Sequence, residues 1–135
     1  MAIINTFQKC LSSPYLVEDK DASAQIGELL AKAGDRLEAS VNLQTTGSGD
    51  PADIVFLSYE AMFCCLRALV YAKGYREFGL RCLLLACENL YVRPGQLDAD
   101  HLRKFELAQR LKLSPTDAIA ASSAFVKRTL ELLGQ

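Results

Sequence analysis

The chain holds one histidine, no Cys-x-x-C pair and a net charge of only −1 over 135 residues. A structural zinc site draws on several Cys and His ligands at close spacing. No metal is expected, and nothing in the sequence asks for a cofactor. The balanced charge supplies no global basic field for nucleic acid, so any phosphate contact needs a local patch. The N-terminus lacks a basic start before an apolar run. Arg67 and Lys73 interrupt the best apolar stretch before it reaches the roughly 18 residues of a membrane helix. These absences predict a cytoplasmic protein with no membrane segment. No stretch sustains period-two alternation, which leaves no strand expected, and no repeat or low-complexity tract is visible.

What is present is apolar and helical. Hydrophobic residues make up 50% and charged residues 23% of the chain, a globular balance. One domain over 1–135 follows from the length: a leading helix and connector over 1–22, then a bundle over 23–135. The five cysteines, Cys10, Cys64, Cys65, Cys82 and Cys87, are an odd number. They are expected to be reduced, buried and small-hydrophobic in role.

Residues 50–74 predict the central helix. Asp50 caps it, Pro51 suits its first position, and Asp53 meets the positive end of its dipole. Lys73 and Gly74 close it. Ala61, Cys65, Ala68 and Ala72 form a small-residue stripe, and Met62, Phe63, Leu66, Leu69 and Val70 cover most of the rest. A helix apolar on nearly every side is enclosed by others. Only Asp53, Glu60, Arg67 and Gly74, seven residues apart, draw a polar line along one face.

Around this helix the pattern gives a short helix over 2–11, a connector over 15–20, and a long amphipathic helix from about Ser23 to Gln44. A helix over Glu77–Tyr91 follows, ended by Pro94-Gly95. Asp98 caps the next, which carries the basic residues Arg103, Lys104, Arg110 and Lys112. Ser114-Pro115-Thr116-Asp117 opens the last. The fold expected is all-α, an up-and-down bundle of four or five helices with a short N-terminal helix.

The run from Leu57 to Tyr75, with Tyr59-Glu60-Ala61-Met62-Phe63, then Arg67-Ala68-Leu69, then Gly74-Tyr75, resembles the core helix of the HEPN superfamily. The segments Pro94-Gly95-Gln96-Leu97-Asp98, Lys104 to Leu107 and Ala121 to Val126 extend the likeness. The resemblance implies a small helical bundle that pairs as a dimer. Members act as RNases or as partners of nucleotidyltransferases in toxin–antitoxin pairs. The RNases set an Arg and a His a short gap apart, facing the same motif of a second protomer. Here Ala108 stands where the Arg would fall, and Leu113 where the His or Tyr would fall. His101, the lone histidine, follows the nearest preceding arginine, Arg93, after a gap of seven.

RNA cleavage needs a titrating group and a cation at the scissile phosphate, and Ala108 and Leu113 supply neither. The function expected is therefore a non-catalytic interaction module that pairs with itself, with a nucleotidyltransferase-type protein, or with RNA. The alternative is a metal-independent RNase with a displaced site built on His101 with Arg103 or Arg67. The binding candidates are Arg67, which must pair or reach water, Glu60 one stripe away, His101, Arg103, and Tyr75 at the Gly74 corner. His101 is expected as an exposed polar residue.

Overall fold

The computed structural model describes residues 3–135. Among these, six α-helices and one small two-stranded sheet make up the fold: α1 (Phe7–Leu11), β1 (Leu16–Glu18), α2 (Ile26–Thr46), α3 (Pro51–Ala72), β2 (Tyr75–Glu77), α4 (Leu80–Cys87), α5 (Ala99–Gln109) and α6 (Pro115–Leu132). It is an all-α bundle. A 3-10 turn, Ala22–Gln25, leads into α2, and a π-helical turn, Glu88–Val92, continues α4.

Helix α3 packs against α2, α6, α5 and α4. Its cap is as the sequence specifies: the Asp50 carboxylate accepts from Ala52 N–H, and Pro51 follows in the first turn. Asp98 and Ser114 cap α5 and α6 in the same way. Gly74 takes φ +84° beyond the end of α3. That conformation costs a side-chain-bearing residue about 1 kcal/mol or more. Ala61, Cys65 and Ala68 are fully buried, and one continuous core joins Cys10 at one end of the sequence to Phe125 at the other. Inside it Ser40 donates to the Ile54 carbonyl at 2.8 Å and meets Ser58 at 2.9 Å. Helices α2 and α3 are thus keyed together by satisfied hydroxyls.

Several expectations need correction. The leading helix is only five residues long, because three-to-four spacing alone cannot nucleate a longer one; residue 2 of the expected span lies outside the described residues. The connector over 15–20 contains β1, which pairs antiparallel with β2 through Leu16↔Glu77, Val17↔Arg76 and Glu18↔Tyr75. Strands of three residues are too short to show a period. Glu77 therefore ends a strand and does not start a helix, and the expected Glu77–Tyr91 helix is split into β2, α4 and the π turn. That turn directs Tyr91 inward, where its hydroxyl donates to the Leu69 carbonyl at 2.5 Å.

All five cysteines are buried, but they are not all reduced. Cys10 and Cys82 form a disulfide across a sequence separation of 72, with Cα atoms 5.7 Å apart. Cys64, Cys65 and Cys87 are free. Helix α3 is also long and apolar enough, by length and composition alone, to cross a membrane, Arg67 notwithstanding. Most of it is buried by its neighbours, as a core helix is.

Candidate functional site

Among the described residues, α3 is left open along one face. Residues 56, 59, 60, 63 and 67 fall on a single face of the helix at three-to-four spacing. Phe56 is 50% exposed there, and Tyr59, Glu60, Phe63 and Arg67 are half-buried. Helix α2 borders this face through Arg36, whose Nε lies 3.5 Å from the Glu60 carboxylate. Helix α5 borders it on the other side through Phe105, stacked on Tyr59 at 4.9 Å and set edge-on to Phe63 at 5.9 Å. The gap between them is floored by an aromatic ladder. Phe56 and Tyr59 have ring centroids 6.0 Å apart, and Tyr59 meets Phe63 edge to face at 5.9 Å. The Arg67 guanidinium then lies 4.4 Å over the Phe63 ring, a cation–π contact.

At Arg67 the ladder runs into a buried carboxylate. Glu77 on β2 is only 8% exposed. Burying a bare carboxylate is costly unless charged or polar donors replace its water. Two donors do so: Arg67 Nε at 3.2 Å to Oε2 and the Tyr71 hydroxyl at 2.5 Å to Oε1. Burial, reinforced by the bond to Glu77, pushes the Tyr71 phenol up to about 12. It therefore remains a donor throughout the neutral range. Burial also raises the Tyr59 phenol, with Arg67 opposing it. The cluster walls a pocket of about 440 Å³ that also includes Leu29, Arg76, Phe78 and Leu80. Phe78, 60% exposed, stands at its mouth with the Arg76 guanidinium 5.5 Å over its ring.

The five candidates read from the sequence divide between this face and other places. Arg67 and Glu60 both lie on it, but they are not partners: Arg67 pairs with Glu77, and Glu60 with Arg36. Tyr75 turns to the outside of the corner and sets its ring against Phe7 at 5.5 Å. Arg103 is held by Asp100 on its own helix, and that guanidinium lowers the Asp100 carboxyl below its ordinary value. His101 is not the exposed polar residue expected. It is half-buried, stacked on Phe125 of α6 at 5.1 Å, and burial lowers its pKa against the opposing pull of Asp98 and Asp100. Residues two apart on a helix do not face each other, so His101 and Arg103 share no face. Among the described residues no group of His, Cys, Asp and Glu is arranged to hold a metal ion.

Helical spacing sets Glu77 in line with the polar Arg81 and Glu88, so nothing local marks it as a buried site residue. Aromatics at three-to-four spacing read as core, so the spacing of Phe56, Tyr59 and Phe63 does not by itself mark an open ladder. The available signal was that Phe56 and Phe63 flank the polar line through Glu60 and Arg67. No family model, curated protein or solved structure matches the chain.

Proposed function

We propose that this chain is a non-catalytic interaction module that docks through the open face of α3 and pairs there with a second copy of itself. The observation that carries the reading is the half-exposed ladder Phe56–Tyr59–Phe63 ending in Arg67, since a continuous apolar strip with a polar rim marks a contact surface. Its sequence is self-complementary. A two-fold axis midway between Glu60 and Arg67 sets each Glu60 against the other copy's Arg67, whose remaining N–H groups are not taken by Glu77. The same axis brings Phe63 near its own counterpart. Phe56 and Tyr71 lie about 11 Å on either side of it at ~1.5 Å per residue. Phe56 of one copy is then level with the pocket beside Tyr71 of the other.

The HEPN-like residues extend the reading to a toxin–antitoxin pair with a nucleotidyltransferase-type partner, which would compete for the same face. RNA is favoured less, because Glu60 and Glu77 accompany Arg67 and Arg76 and offset the cations that phosphates require. A cytoplasmic setting belongs to the same proposal.

Light scattering on the purified chain tests it. The expected mass is twice the 14.8 kDa of the protomer. Phe56→Lys places a cation near the other copy's Arg67 and Arg76 and should weaken pairing by about tenfold or more, as loss of a central aromatic anchor does. Leu111→Lys, at an exposed leucine outside the ladder and its pocket, should leave it unchanged. A strict monomer at high concentration would remove the reading.

A further inference from the structure

We propose that Cys10–Cys82 is a reversible thiol–disulfide latch on an N-terminal strap, and that closing it holds the pocket at the end of the docking face in shape. The second half of this rests on the docking role just given to that face.

The strap is residues 4–19. It runs along the outside of the 74–82 corner and is tied to it at successive points. The Asp19 N–H donates to the Gly74 carbonyl at 2.8 Å, β1 pairs with β2, and the Phe78 N–H donates to the Tyr15 carbonyl at 2.8 Å. Phe7 packs on Tyr75, and Arg81 Nε donates to the Ile4 carbonyl at 2.6 Å. The corner so held supplies Arg76, Glu77, Phe78 and Leu80 to the pocket. In its two-stranded sheet β2 has β1 as its one neighbour among the described residues. The pocket wall is therefore braced from behind by the strap.

Without its covalent link that brace rests on a few apolar side chains, Leu16, Phe7 and Leu11, and on short backbone pairing. A five-residue helix does not persist alone, and a pair of three-residue strands is marginal. The disulfide joins the strap's helix to α4, and both sulfurs are buried, so an external thiol reaches them only when the strap lifts. Opening follows ordinary exchange. A thiolate of an external dithiol attacks one sulfur and forms a mixed disulfide, releasing the other cysteine as thiolate. The second external thiolate then displaces the first cysteine. Two electrons pass to the protein, two cysteine thiolates take up protons, and the dithiol leaves as a disulfide. Cys65 and Cys87 do not intercept the exchange: both are buried, and burial pushes their thiols up to about 12, where little reactive thiolate forms.

Hydrogen exchange on the full chain, oxidised and then reduced with dithiothreitol, tests the latch. The Asp19 and Phe78 amides should exchange at least tenfold faster after reduction, with those of α2 and α6 unchanged, and reoxidation should restore the slow rate. Cys10→Ser should reproduce the reduced behaviour, and Cys64→Ser should not. Unchanged exchange at Asp19 and Phe78, or reduction only with global unfolding, overturns the latch. Pairing measured on the same samples should weaken at least tenfold on reduction, and equal pairing in both states overturns control of the face. A chain monomeric in both states defeats the docking reading, while the exchange rates still decide the latch.

Discussion

Replacing Tyr71 by phenylalanine removes one oxygen atom and leaves the packing intact. That oxygen is the donor to Glu77 Oε1 at 2.5 Å, and Arg67 still serves Oε2. A hydrogen bond to a charged group contributes about 1.5–3 kcal/mol. With an unfolding entropy of about 2.1 cal/mol/K per residue, each kcal/mol moves the midpoint of a chain this long by about 3.5 °C. Tyr71→Phe should therefore lower Tm by about 5–10 °C near neutral pH. The alkaline limb provides a second reading. The phenol holds its proton more tightly folded than unfolded. Its contribution is therefore complete below its ordinary value of 10.0 and is lost as pH rises through about 12. Thermal melts by circular dichroism from about pH 7 to 11 should show the wild type and the variant converging as pH rises, with tyrosinate absorbance reporting the titration. A variant melting within about 2 °C of wild type at neutral pH would mean that water already serves Glu77, and the reading of a closed carboxylate would fail.

Two further outcomes follow from the interior. Thr129 is fully buried, and its hydroxyl finds no oxygen or nitrogen partner among the described residues. It lies against the Cys65 thiol, a weak partner. Thr129→Val should raise stability by about 1 kcal/mol in urea unfolding, and a loss of that size would show that the hydroxyl is satisfied. Iodoacetamide at mildly alkaline pH, followed by mass spectrometry, should leave Cys65 and Cys87 unmodified in the native oxidised chain, because both thiols are buried and pushed up to about 12. Denaturant should expose three reactive thiols, and rapid native labelling of Cys65 would show that α3 is not enclosed.

Local signals account for what could be read directly from the residues. Asp50, Asp98 and Ser114 each cap the helix they precede, and Gly74 takes the left-handed conformation expected of it. The line Asp53, Glu60, Arg67, Gly74 marked the side of α3 that its neighbours leave uncovered. Such signals act over one turn. The strap lies beyond them: Leu16 meets Glu77 and Cys10 meets Cys82 only after α2 and α3 have folded back between them. Neither strand is long enough to carry a period of its own. An odd number of cysteines with no Cys-x-x-C spacing points to reduced thiols, and nothing local to Cys10 or Cys82 marks the disulfide that they form. The π turn has no compositional mark, so the inward course of Tyr91 was not visible. His101 looked polar by its neighbours in sequence, whereas Phe125, which shelters it, arrives from another helix.

Joining residue 10 to residue 82 makes the intervening chain a macrocycle, with α2 and α3 inside it and α5 and α6 on the tail. Ring closure over that separation restricts the denatured ensemble by about 4 kcal/mol in the chain-entropy picture. A single protease cut at Gly47–Gly49 would then open the ring and leave one covalently joined molecule with four chain ends, not two separate fragments. In a circular permutant with new termini in the same loop, α3 and α2 would lie at opposite ends of the chain, and Cys10–Cys82 would supply a short covalent link between them.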